Sequence, residues 1–132
     1  MADSPVRTQR PLSPHLQIFT PYLTMVMSIL HRITGGALYV GTLLLVVWLI
    51  GAASGPAGYA QVQWFMGSII GQLILFGYTW ALIHHLIGGV RHLVWDVGLG
   101  FGPEARENMA RLNIIGSVVL TILIWVVALI VR

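Results

Sequence analysis

No Asp, Glu, Lys or Arg occurs anywhere in residues 33–90, and a second charge-free stretch covers 112–131. Water-soluble domains need charged surface, whereas a bilayer core demands runs without it, at about 20 apolar residues per helix. The first stretch is too long for one crossing and fits two with a turn between them; the second fits one. Hydrocarbon offers the backbone no hydrogen-bond partners, so each crossing must satisfy its own amides as a helix. The sequence therefore predicts an all-α integral membrane protein with three transmembrane helices.

The turn is placed in Ala52-Ala53-Ser54-Gly55-Pro56-Ala57-Gly58, where Gly and Pro interrupt helical continuity. The predicted spans lie near 33–51, 64–90 and 112–131, within one membrane domain over residues 1–132. With 57% apolar and 8% charged residues and a mean hydropathy of +0.85, the chain is neither disordered nor an ordinary soluble domain. Its seven cations are all Arg and are scattered, so they form no nucleic-acid-binding face. The absence of Cys excludes disulfides, iron–sulfur ligation and thiol chemistry within this chain.

Residues 1–21 hold Asp3, Arg7, Arg10 and four prolines but no apolar core. They are expected to be a cytoplasmic N-terminal segment rather than a cleaved signal, leaving the first span to direct insertion. Arg7, Arg10 and Arg32 precede that span, Arg91, Arg106 and Arg111 lie between spans two and three, and the first turn has none. The positive-inside rule then puts the N-terminus and the 91–111 loop on the cytoplasmic, or equivalent matrix, side, with Arg132 the one opposing charge.

Three helices have little interior in which to hide polar groups, so the histidines and glycines of spans one and two are expected to face a partner, a cofactor or both. If Arg91 marks the interface, His85 lies about 9 Å deeper, while His31 and Arg32 sit at the interface itself. Two uses of His85 stand open: ligation of a metal or haem iron, or a hydrogen bond between helices. His84 points about 100° away and His92 about 10.5 Å further along, so neither shares a haem with His85, and His31 is expected at the wrong depth. A second axial ligand is therefore expected from another membrane subunit. His84 and His15 read as non-functional.

Arg32 and His31 suit haem propionates turned toward the aqueous side, against the alternative that Arg32 and Arg91 snorkel to lipid phosphates. Ser28 lies four residues before Arg32 on the same helix face, a pair able to hold the carbonyl oxygen of a small polar headgroup. Bonding of Ser28 back to its own helix is the competing expectation. Asp96 is expected to pair with His92 or Arg91. Gly67 and Gly71 have GxxxG spacing for close helix approach, and Gly35, Gly36, Gly88 and Gly89 flank the histidines either for packing or for clearance of a flat cofactor. Tyr22, Tyr59, Trp64 and Trp95 read as interfacial belt residues.

Two segments carry a resemblance. Arg10-Pro11-Leu12 through Leu16 and Leu23 to Ser28-Ile29-Leu30-His31-Arg32-Ile33-Thr34-Gly35, and His85-Leu86-Ile87-Gly88-Gly89-Val90-Arg91-His92-Leu93-Val94-Trp95-Asp96-Val97-Gly98, resemble the two signatures of the cytochrome b membrane-anchor subunit of succinate dehydrogenase (respiratory complex II). The resemblance covers essentially the whole chain, although span three contributes hydrophobicity alone. It implies that the helices form a bundle with a second, smaller anchor subunit and that His85 is an axial ligand of haem b, the other ligand coming from that subunit. Ser28 and Arg32 would line a ubiquinone site beside the iron–sulfur subunit, and His31, with Arg32, would lie near the haem propionates. FAD and the iron–sulfur clusters would belong to the flavoprotein and iron–sulfur subunits, passing electrons to quinone. The implied location is a bacterial inner membrane with the N-terminus cytoplasmic, ahead of a mitochondrial inner membrane. The competing function is a haem-free scaffold that docks soluble subunits. A transporter fits less well, because no span carries an acidic residue.

Overall fold

A computed structural model describes residues 11–131. Arg7, Arg10 and Arg132, used in the orientation argument, lie outside the described residues, as does Asp3. After a short 3₁₀ turn at His15–Gln17, the chain forms α1 (Leu23–Ala53), α2 (Pro56–Gly67), α3 (Ile69–Asp96) and α4 (Pro103–Val131). Helices α1, α3 and α4 are long and apolar enough to cross a membrane, and no strand occurs among the described residues.

The three spans exist as expected, but their limits differ. At 1.5 Å per residue, α1 with its 31 residues is about 46 Å long, well beyond the hydrocarbon thickness. It begins ten residues before the predicted start, because a charge-free run excludes His31 and Arg32 although both sit inside the helix. Helix α4 likewise starts at Pro103, with Glu104 in its first turn, where a carboxylate complements the helix dipole.

The second prediction merged two helices. The expected turn at 52–58 is confined to Ser54 and Gly55, and Pro56 opens α2 at a position where its missing N–H costs nothing. Gly55 there adopts φ +89°, which a residue with a side chain disfavours. The chain then breaks at Ser68, whose hydroxyl donates to the Phe65 carbonyl at 2.6 Å and accepts from the Gly71 amide at 3.1 Å, capping α3. Gly67 and Gly71 therefore belong to different helices and form no common packing stripe. A Cβ on Gly71 would overlap the Phe65 carbonyl oxygen, whereas one on Gly67 would meet open space.

Packing is inverted relative to a soluble protein. Thr34, His84, Arg91, Asn113, Ser117 and Thr121 are buried, while most Leu, Ile and Val side chains face outward. Helix α3 runs between α1 and α4, and the start of α1, the end of α3 and the start of α4 share one end of the bundle.

Candidate functional site

The polar groups of the bundle converge where α1 and α3 cross. His31 and His85 stack with ring centroids 3.9 Å apart and planes 6° from parallel. This corrects the expectation that His31 lies at the wrong depth. That reckoning took Arg91 as an interfacial residue, but Arg91 is 5% exposed and lies inside the bundle, so the depth scale was misplaced. His31 is likewise a third of the way along α1 rather than at its mouth.

Two glycines make the stack possible. A Cβ on Gly35 would lie 3.1 Å from the His85 ring, and one on Gly88 would lie 2.5 Å from His31 Nδ1. Gly36 and Gly89 instead face open space. The four glycines thus divide into one pair that admits the imidazoles and one pair that leaves smooth outward backbone beside them.

The His85 ring is held through one nitrogen. Its Nδ1 lies 3.2 Å from the His31 carbonyl oxygen and 3.4 Å from Thr34 Oγ1. A carbonyl can only accept, so Nδ1 carries the proton and Nε2 keeps its lone pair. Metal-bound imidazoles are oriented in this way, by an N–H donated to a carbonyl behind the ring. No group of three or more His, Cys, Asp or Glu side chains capable of holding a bare metal ion occurs among the described residues. A metal taken by His85 must therefore bring or find its other ligands elsewhere, as haem iron does.

Ser28 and Arg32 lie one turn apart on the exposed side of α1, next to His31. Ser28 makes no bond back to its own helix and Arg32 no ion pair among the described residues, so both polar heads are presented outward. The structure does not bring either into contact with His85. His92 is exposed, with its ring 5.2 Å from that of His31 and edge-on to Trp95. Asp96 forms no ion pair with His92 or Arg91. The Arg91 guanidinium lies 5.0 Å over the Trp95 ring, a cation–π contact, with Nε and Nη1 lacking partners.

His84, on the other face of α3, is fully buried and packs as expected. Its Nδ1 lies 3.2 Å from Ser117 Oγ and its ring centroid 5.1 Å from that of Trp80. Sequence reading missed Thr34 and the α4 stripe of Asn113, Ser117 and Thr121. The signal was available: these α4 residues recur every four positions in an otherwise apolar helix, and Thr34 follows His31 by three, both spacings placing residues on one face.

Residues 6–126 match the family described as succinate dehydrogenase/fumarate reductase transmembrane subunit. The chain is 43% identical to the succinate dehydrogenase cytochrome b556 subunit of Paracoccus denitrificans over 121 residues, covering 92% of this chain and 93% of the relative. It is 37% identical to the cytochrome b556 subunit of Rickettsia conorii, covering 92% and 94%. Similarity to the cytochrome b560 subunit of Marchantia polymorpha is 36%, covering 70% and 72%.

Proposed function

The chain belongs to the succinate dehydrogenase/fumarate reductase transmembrane subunit family and is a membrane-anchor subunit of that enzyme complex, and from this premise we propose that His85 would hold the iron of a haem b shared with a second membrane subunit. The observation that carries the reading is the fixed His85 ring, with its Nδ1–H turned to the His31 carbonyl and Nε2 left bare. The names of the relatives, which are cytochromes b, support it. When bound, haem b supplies a one-electron redox centre tuned by its ligands and surroundings.

The residues of this chain contribute binding and orientation. His31 and Arg32 offer donors to propionate carboxylates. The outward Ser28 and Arg32 pair forms one wall of the ubiquinone site, close to the iron–sulfur subunit. There the Arg32 guanidinium donates to a quinone carbonyl oxygen and favours the negative charge that grows on it during reduction. The Ser28 hydroxyl, four residues away on the same face, orients that oxygen and can pass it a proton. Succinate chemistry, FAD and the iron–sulfur clusters belong to the flavoprotein and iron–sulfur subunits. The Arg distribution in the sequence supports an N-terminus on the cytoplasmic, or equivalent matrix, side, and the bacterial relatives are consistent with a bacterial inner membrane.

The test is a reduced-minus-oxidised spectrum of the complex purified in mild detergent. The haem bands disappear in His85→Ala and persist in His84→Ala. Bands that survive His85→Ala overturn the ligand assignment, and a colourless wild-type complex leaves the haem-free scaffold.

A further inference from the structure

We propose that the Thr34 hydroxyl is a positioning group for the His85 imidazole and helps to set the redox potential of the iron that His85 binds. The inference rests on the haem reading above and adds a residue that touches neither iron nor quinone.

Proton bookkeeping at Thr34 leads to this role. The side chain is buried at 1% exposure, so water cannot take its place. Oγ1 lies 2.8 Å from the Leu30 carbonyl and 3.0 Å from the His31 carbonyl, and its single proton goes to these two acceptors. Toward His85 Nδ1, 3.4 Å away, Oγ1 can therefore act as acceptor alone. The His31 carbonyl makes the same demand from 3.2 Å. Two acceptors converge on one N–H and no donor faces it, so the tautomer is over-determined. Thr34 also polarises the His31 carbonyl oxygen that it shares with His85, coupling the three groups into one network.

The consequence has a sign. An imidazole whose N–H is drawn to acceptors donates more electron density through its other nitrogen, which favours the higher oxidation state of a bound iron and lowers its potential. Loss of the hydroxyl therefore raises the potential. The His31 carbonyl remains in place, so the ring stays bound and the shift is partial. Helix geometry is preserved as well, because the Leu30 and His31 carbonyls keep their backbone helical partners without the threonine.

The experiment is a spectroelectrochemical titration of haem b in the intact purified complex carrying Thr34→Val, Thr34→Ala or Thr34→Ser, with low-temperature electron paramagnetic resonance of the oxidised form. The expected result is an upward shift of midpoint potential and a changed g-tensor in Thr34→Val and Thr34→Ala, with Thr34→Ser restored to wild type. Full haem occupancy with an unmoved potential in Thr34→Val overturns the proposal. So does an equal shift in Thr34→Ser, which would assign the effect to the methyl group. If Thr34→Val does not assemble, the Ala and Ser variants decide between the same results. His85→Ala is the control: haem retained there defeats the underlying ligand reading and the proposal with it, whereas haem lost there with an unmoved Thr34→Val potential defeats the Thr34 role alone.

Discussion

The two ends of the bundle both use glycines for close contact but differ in what those glycines admit. From the middle of the bundle to the end where α1 finishes, α2 packs and α3 begins, glycines admit an aromatic ring, an apolar side chain and backbone: Gly41 admits the Tyr78 ring, Gly51 admits Val62 and Gly71 admits the backbone of Phe65 and Met66. No charged residue occurs there among the described residues. Where α1 begins and α3 finishes, glycines admit imidazole rings instead, and several polar atoms have no partner among the described residues: His31 Nδ1, Arg91 Nε and Nη1, Trp95 Nε1 and both amide atoms of Asn113 are buried and unsatisfied. A buried polar atom without a partner costs about 1–3 kcal/mol, so the second end is held less well by its own residues than the first. One end pairs its groups internally, and the other leaves polar atoms unpaired among the described residues, where the proposed haem site and a second subunit would meet them.

Four measurements would break or sharpen this contrast, starting with the largest effect. On the proposed quinone role, Arg32→Leu removes a charge-assisted donor worth about 1.5–3 kcal/mol, so quinone-reductase kcat/KM of the complex falls roughly ten- to hundredfold. Succinate oxidation with a soluble artificial acceptor is retained, and equal loss in both assays would point to general damage. At the opposite end, Gly71→Ala drives a methyl group into the Phe65 carbonyl oxygen, which cannot swing aside as a side chain does. Overpacking of this kind costs about 1–3 kcal/mol and should lower the thermal midpoint of the complex while its haem spectrum stays unchanged.

Gly88→Ala reverses that pattern. Its new Cβ meets a movable ring, 2.5 Å from His31 Nδ1, so the loss of stability is smaller than for Gly71→Ala while the haem spectrum changes. A large drop in melting temperature with an unaltered spectrum would erase the distinction between the two ends. The smallest effect belongs to Glu107→Gln. Its partner Arg111 lies 2.7 Å away, but the side chains are 52% and 60% exposed, and such i,i+4 pairs contribute about 0.3–0.5 kcal/mol. Denaturation in added salt should make even that difference vanish.

The three spans were legible because absence of charge is a direct statement about solvent. The break at Ser68 was not: a hydroxyl that caps a helix in the middle of an apolar run leaves hydropathy almost unchanged, so residues 64–90 read as continuous. His85, His31, Ser28 and Arg32 stood out by type and spacing. Their arrangement did not, because the depth of His31 depended on where Arg91 was taken to lie. Arg91 was assigned to the interface from its charge, whereas its guanidinium is covered by Trp95 and the surrounding helices. Thr34 was quoted within a motif without a role, since its importance depends on where His85 lies, 51 residues away.

The inverted packing has a practical corollary for anyone altering this chain. Tolerance to substitution should run against the usual rule: a leucine facing outward from α4 is the risky place for a polar replacement, and an inward threonine such as Thr34, whose hydroxyl is hydrogen-bonded, is not a free surface position. A scan read with the habits of water-soluble proteins would mistake the lubricated exterior for a core and the polar spine for dispensable surface.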